Sequence, residues 1–357
     1  MSTASGAPVI RVGIIGQGRS GYSIHCAHLR ADPRYQIAAV CDLLEERRQK
    51  AAEEFGCETY ADYRDMLKRD DLDLIVNASL SHQHVPITLD IINQGFNVVC
   101  EKPLARRAAE VDELIAAAKK SGKIFTIFQQ SRYAPYFQQV RKVLDSGVLG
   151  RIVMVRCAFN GFARRWDWQT LQEFNGGNLL NTGPHPLDQL LQIFGPGEPQ
   201  VTCIMDRANT FGDAEDFVKL ILRGEGRPTI DLEISSCDAF PLYTYHVHGT
   251  RGGLTGNQSG LKWKYFTEEE APEQKLIREP LPNQAYCTEK LTWHEESWEV
   301  PKEKTDLFAT ISGGYYTDLY KSLTEGAPLR ITPEQVRQQI AVIEECHRQN
   351  PLSRLDG

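Results

Sequence analysis

Val9 to Ile15 is an apolar run that ends in Gly16-Gln17-Gly18-Arg19-Ser20-Gly21, and a helix-forming stretch follows from Ser20 to about Ala31. A short continuous apolar run reads as a strand buried on both faces. Glycines at the first, third and sixth positions let the chain turn sharply, let a ligand approach the backbone and let the helix pack close to the strand. Free N–H groups and the helix dipole then favour an anion, so the stretch predicts a pyrophosphate cradle. Asp42 ends the next apolar run, Gln36 to Cys41, 26 residues after Gly16. A carboxylate there accepts both ribose hydroxyls and repels a 2′-phosphate, which predicts NAD rather than NADP. Arg47 and Arg48 temper that preference. The plain alternative is a glycine turn followed by a surface Asp.

The alternation continues, with strand signals at Leu72 to Ala78, Asn97 to Cys100 and Ile124 to Phe128, and helical ones at Leu44 to Phe55, His84 to Gln94 and Arg106 to Lys120. Buried strands separated by helices predict an α/β fold, here a doubly wound parallel sheet of Rossmann type. After about residue 150 the pattern changes. Arg151 to Asn160, Val201 to Arg207, Asp216 to Leu222, Thr229 to Ser236 and Tyr243 to His248 are strand-like with tight turns and little helix between them, which predicts an antiparallel sheet. Thr267 to Lys304 reads as long acidic loops. Asp306 to Leu323 and Pro333 to Arg348 read as helices, the second with Thr332 as N-cap and Pro333 at its first position. The expected division is 1–129, 130–330 and 331–357.

A chain of 357 residues exceeds one typical core and fits two domains. A net charge of -7 argues against a general nucleic-acid binder. No apolar run reaches the roughly 20 residues a membrane span needs. Met1 to Pro8 has no apolar core of a signal segment and reads as a frayed leader, and the expected location is cytoplasmic. The nine cysteines are scattered without a Cys-x-x-Cys pair, so neither a metal site nor a disulfide framework is expected, and they read as small buried hydrophobes.

Glu101-Lys102-Pro103 follows the strand Asn97 to Cys100, and ligands bind at the carboxyl ends of such strands. Lys102 can donate to a reacting oxygen, with its ammonium made more acidic beside a cationic cofactor. Gly176-Gly177-Asn178-Leu179-Leu180-Asn181-Thr182-Gly183-Pro184-His185 supplies an imidazole. Imidazole accepts a hydroxyl proton near neutral pH. If the stretch is helical, Asn181 and His185 share a face. Asp188, one turn on, is expected to orient His185 or to cap the fold. A dinucleotide cradle, a Lys and a His together point to hydride transfer from a substrate hydroxyl.

Taken together, these blocks resemble the glucose–fructose oxidoreductase, inositol dehydrogenase and rhizopine-catabolism (Gfo/Idh/MocA) family. The resemblance covers the cradle, the Ala78-to-His84 loop, Glu101-Lys102-Pro103, Gln130 to Tyr133 and the Gly176-to-His185 block. It implies an N-terminal Rossmann domain and a C-terminal α+β domain whose large open antiparallel sheet carries a homo-oligomer interface, with the last helix packing back on the first domain. It implies Lys102 and His185 as the catalytic pair with Asn181 beside them, where many members have Asp. It also implies a cofactor site of Gly16, Gly18, Arg19, Ser20, Gly21, Asp42, Arg47, Ser79, His84, Glu101, Lys102 and Gln130. Leu80 departs from the Pro or Asn common in the cofactor loop.

Asn160, Arg164, Arg165 and Trp166 follow a second-domain strand and are expected to wall a substrate site with Asn181 and His185, since sugars pack on Trp faces among fixed polar groups. A packed loop or subunit contact fits the same residues. Tyr243, Tyr245, His246 and His248 lie on one expected strand and read as sheet or interface residues rather than ligands. The Arg-Arg-Trp-Asp-Trp block resembles bacterial dehydrogenases that oxidise the C3 hydroxyl of glucosides, some of them C-glycosides. The expected substrate is therefore a sugar, glycoside or cyclitol, with a lyase or deglycosylase as a downstream partner. The alternatives are a redox-neutral NAD-dependent glycosidase and a non-enzymatic NAD-binding regulator.

Overall fold

A computed structural model describes residues 8–282 and 286–355 of the chain. Residues 1–7, most of the expected leader, lie outside them. Six strands form the first sheet: β1 (Ile10–Ile15), β2 (Tyr35–Cys41), β3 (Glu58–Tyr60), β4 (Leu74–Asn77), β5 (Asn97–Cys100) and β6 (Phe125–Ile127). Their order is β3-β2-β1-β4-β5-β6 and every pair is parallel. Val12, Ile14, Val76, Val98 and Val99 are fully buried, as strands covered on both faces require. The order reverses between β1 and β4, so the loops after β1, β4 and β5 open onto one crevice.

The helix after β1 is not regular. Gly21–Cys26 winds as a π-helical segment before α1 (Ala27–Leu29), and the wider turn carries the adjacent His25 and Cys26 inward together. Helices α2 (Glu45–Phe55), α3 (Tyr63–Met66), α4 (His84–Asn93) and α5 (Ala108–Ser121) complete this half.

Helix α6 (Pro135–Asp145) leads into β7 (Ile152–Asn160), and α7 (Asn178–Asn181) and α8 (Pro184–Phe194) follow it. Seven more strands join β7: β8 (Gln200–Asp206), β9 (Phe217–Arg223), β10 (Thr229–Ser235), β11 (Tyr245–Gly249), β12 (Gly252–Gly256), β13 (Gly260–Tyr265) and β14 (His294–Glu299). The order is β14-β13-β12-β11-β7-β10-β9-β8. The sheet is mixed rather than wholly antiparallel, because β7 and β10 pair in parallel after the long excursion through α7 and α8. The expectation of loops over Thr267–Lys304 is corrected by β14. This edge strand pairs with β13, setting Glu295 opposite Lys264. Its charged sequence, His-Glu-Glu-Ser-Trp-Glu, carries no apolar alternation to announce it. Cys237 and Cys287 are exposed, against the expectation of buried thiols, while Cys26, Cys41, Cys100, Cys157, Cys203 and Cys346 are buried.

Helices α9 (Leu307–Glu325) and α10 (Pro333–Gln349) return to the first sheet. Thr332 caps α10 by accepting from Gln335 N–H. From α10, Gln339 accepts from Gln129 at 2.7 Å and donates to the Pro184 carbonyl at 2.6 Å, while Glu344 accepts from Ala108 N–H at 2.8 Å. Arg132 and Asp188 add a buried two-pronged ion pair at 2.6 and 2.7 Å between the segment after β6 and α8.

Candidate active site

The cradle is shaped by steric necessity. Gly16 has φ +92°, and a Cβ on it would lie 2.3 Å from the Ala78 carbonyl oxygen; one on Gly21 would lie 1.8 Å from that of Gly16. Above Gly18 nothing lies within 4 Å, so β1, the loop after β4 and the helix start close together and leave one open concavity. This fits a pyrophosphate approaching the backbone. Asp42 is buried and ties the cradle to the end of β2. Its Oδ2 accepts from Gln17 N–H at 2.7 Å and its Oδ1 from Leu44 N–H at 2.9 Å, with the Arg47 guanidinium 3.4 Å away. Ser20 is half-buried at the helix start and Arg19 is exposed beside it.

Two more loops meet this crevice. Ser79 donates from Oγ to Asn77 Oδ1 at 2.7 Å. His84 is buried between backbone carbonyls, Nδ1 2.7 Å from Pro103 O and Nε2 3.1 Å from Ser79 O, so it braces the loop after β4 against the loop after β5. Burial pushes its pKa down. Gln130 is buried and its Oε1 has no hydrogen-bond partner, which leaves an acceptor for a ligand.

Lys102 reaches out of the first sheet and donates from Nζ to the Asn181 carbonyl at 2.9 Å. The Lys102–Pro103 bond is cis. Burial lowers the Lys102 pKa, Glu101 opposes that, and Arg19 and Arg165 add to it. His185 stands in the first turn of α8. Burial, then the Lys102 ammonium, pushes its pKa down to about 3. Its Nδ1 is buried without a partner.

Two local expectations change. Asn181 and His185 do not sit on one helix: α7 ends at Asn181 and α8 begins at Pro184, because a proline lacks the N–H a continuing helix needs and starts a new one well. Asp188 does not orient His185, since both its oxygens are taken by Arg132.

Sequence reasoning missed Glu215. This buried carboxylate accepts from Leu179 N–H at 2.9 Å, and its own carbonyl accepts from Asn178 N–H at 2.8 Å, which fixes the start of α7. Gly177, at φ +105°, has no room for a side chain there: a Cβ would lie 2.4 Å from Glu215 Oε1. The glycine pair is the local signal of that close approach.

A cavity of ≈ 530 Å³ opens beside α7, with Asn178 and Thr182 on its wall and Asn181 between them in the chain. Asn160 and Arg165 also line it. Asn160 donates to Glu233 at 2.7 Å and to Asp238 at 3.1 Å, leaving its Oδ1 unpaired. Arg165 is held by Asp167 at 2.9 and 2.7 Å and by Gln169 at 2.5 Å. Arg164 lies over the Phe211 ring at 5.0 Å and Trp166 is 79% exposed; neither lines the cavity. Phe162 and Leu242 do line it, 64% and 89% exposed. Tyr245 is buried in the sheet and donates to Gln189 at 2.8 Å. Among the described residues no group of three or more His, Cys, Asp or Glu could hold a metal ion, and no helix is long and apolar enough to cross a membrane.

Two family models match this architecture. One, described as an oxidoreductase family with an NAD-binding Rossmann fold, covers residues 10–129, and one described as the GFO/IDH/MocA C-terminal domain covers 137–255. A 2,7-anhydro-N-acetylneuraminate hydratase of Mediterraneibacter gnavus is 25% identical over 61% of this chain and 60% of its own. A scyllo-inositol 2-dehydrogenase (NADP(+)) of Bacillus subtilis is 25% identical over 94% of this chain and 92% of its own. A D-glucoside 3-dehydrogenase of Escherichia coli is 30% identical over 55% and 57%. The alignments with the hydratase and the glucoside enzyme thus span under two thirds of those proteins. The WlbA dehydrogenase of Bordetella pertussis, solved with NADH and UDP-GlcNAcA, has the same fold, with TM-score 0.76, 21% identity and 98% of each chain covered.

Proposed function

This chain belongs to the GFO/IDH/MocA oxidoreductase family, with an NAD-binding Rossmann fold as its first domain, and from that premise we propose that it oxidises a secondary hydroxyl of a sugar, glycoside or inositol to the ketone. The observation that carries the reading is the 2.9 Å bond from Lys102 Nζ to the Asn181 carbonyl, which joins the carboxyl end of β5 to the block that bears His185. When bound, NAD supplies the acceptor for the hydride. Gly16, Gly18, Gly21 and Asp42 would hold it, with Ser79, Glu101 and Gln130 along the crevice, and Asp42 favours NAD over NADP. The Arg47 guanidinium 3.4 Å from Asp42 is a ready partner for a 2′-phosphate if that carboxylate is removed.

His185 is neutral across the physiological range and takes the hydroxyl proton as the C–H electron pair departs. The Lys102 ammonium stabilises the developing alkoxide, and the Asn181 amide hydrogen-bonds the substrate without serving as a base. Asn160 and Arg165 offer fixed polar groups on the cavity wall, and the apolar edge made by Phe162 and Leu242 favours a glycoside over a free cyclitol. The likeness to a D-glucoside 3-dehydrogenase supports the same choice.

The ketone acidifies neighbouring C–H bonds, which suits a later lyase or deglycosylase. Homo-oligomerisation through the outer face of the eight-stranded sheet fits its half-exposed Arg156, Lys219, Ile221 and Glu233, and nine unpaired thiols fit the cytoplasm. A second reading, a redox-neutral cycle with retained cofactor, gains from the hydratase relative, whose net reaction is not an oxidation.

The test is NADH absorbance with NAD and a panel of inositols, hexoses, O-glucosides and C-glucosides. The expected result is turnover of a glycoside, with Lys102→Ala and His185→Ala each slowed by about 10²–10⁴-fold while binding of NADH persists. Hydrolysis or hydration without NADH release would favour the closed cycle, and bound cofactor with no chemistry on any compound would favour a regulator.

A further inference from the structure

His25, on the segment just after the cradle, is fully buried, and the reaction outlined above makes no use of it. Its Nε2 lies 3.1 Å from Glu101 Oε1 and its Nδ1 2.6 Å from Tyr316 Oη. Glu101 is buried, and its second oxygen accepts from Lys102 N–H at 3.0 Å. An ionised carboxylate only accepts hydrogen bonds, so His25 Nε2–H donates to Glu101, and on a ring carrying that one hydrogen Nδ1 accepts from the Tyr316 hydroxyl. Phe128 packs on the imidazole at 4.3 Å between centroids, and Tyr316 is held among His28, Tyr35 and Tyr315. A single ring therefore joins the cradle helix, the end of β5 and α9.

We propose that His25 is a positioning residue for Lys102: with Tyr316 behind it, it holds Glu101 as the ionised counter-charge that keeps the half-buried Lys102 ammonium protonated and aimed at the reacting oxygen. The charges around the cluster agree. Burial pushes the Glu101 carboxyl up, but the hydrogen bond from His25 and the nearby Lys102 ammonium bring it down to about 2. Around Lys102, Glu101 is the group that favours the ammonium, against burial, Arg19 and Arg165; His185 lies near it. His25 itself faces Glu101, Tyr316 and His28, and Tyr316 faces Tyr35, Tyr315, Glu101 and Cys26. Without a donor from His25, the desolvated Glu101 takes up a proton more readily and the lysine loses its counter-charge.

The inference rests on Lys102 acting in the proposed reaction, but the quantity it predicts is read without turnover. The full chain, free of cofactor, is pulse-labelled with acetic anhydride across a pH series, and the protonation midpoint of Lys102 is taken from the mass spectrum of its peptide. His25→Leu is expected to lower that midpoint by about one unit, seen as about tenfold faster labelling below it. His25→Gln, which keeps a donor, restores most of the value, and Tyr316→Phe lowers it less. With an active substrate, the alkaline limb of kcat moves to lower pH in the same order. A folded His25→Leu with the unaltered midpoint overturns the proposal; if that variant does not fold, an unaltered midpoint in Tyr316→Phe does so. A shifted midpoint in a chain that oxidises nothing leaves the relay standing and sinks the dehydrogenase reading instead.

Discussion

His185, the base proposed for this site, does not titrate where histidines usually do. Burial and the Lys102 ammonium hold His185 at about 3, against 6.5 for a free ring, so its base form is complete throughout the working range. The kcat/KM profile of the free enzyme should therefore be flat between pH 5.5 and 7.5, and activity should fall only at the alkaline side, where the Lys102 ammonium loses its proton. A limb near pH 6.5 that disappears in His185→Gln would refute this. The same depression makes a protonated His185 a strong acid, so it passes its proton on rather than storing it. Asn181, which has no carboxylate to stabilise an imidazolium, fits that behaviour.

At the scale of elements, the cradle separates what folding needs from what binding needs. Gly21→Ala places a methyl against the Gly16 carbonyl at 1.8 Å and should destabilise the domain by about 1–3 kcal/mol, seen as a lower urea midpoint. Gly18→Ala meets no atom within 4 Å and should keep that midpoint while weakening NADH binding at least tenfold, because its methyl points into the open concavity. Equal stability losses in the two variants would contradict the assignment. The cradle, the Glu-Lys-Pro corner and the Gly-Gly block were legible in the sequence because each motif is contiguous, although what Gly16 and Gly177 make room for, Ala78 and Glu215, lies far along the chain. The rest was not. Glu215 meets Leu179 from 36 residues away, Asp188 meets Arg132 from 56, and His25 meets Glu101 from 76, and no spacing rule spans such separations. The edge strand β14 was hidden for another reason, since Trp298 is its one large apolar residue and a single one makes no alternation.

Across the whole molecule, the segments after β6 and the second half are joined by groups that cannot be left single. Removing the carboxylate in Asp188→Ala strands the Arg132 guanidinium in the interior and should cost about 3–5 kcal/mol, measured by urea unfolding. The acid response has a definite sign. His28, His84 and His185 all have lowered pKa values in the folded chain, chiefly through burial, so below about 6.5 the unfolded chain binds more protons than the native one. Stability should fall as pH drops from 7.5 to 5.5, and a flat Tm over that interval would count against three lowered histidines, of which His84 is buried and His28 and His185 half-buried. Below 4.5 the Glu101 carboxyl, held down to about 2, extends the loss in the same direction. The bond that ties the end of β5 to the Gly-Gly block has a different consequence. Lys102 grips residue 181 by its backbone carbonyl, not by its side chain. Every amino acid carries that oxygen, so the side chain at 181 can be exchanged during divergence or by design while the lysine keeps its anchor, and a lineage built on this frame can vary that position without first dismantling the joint.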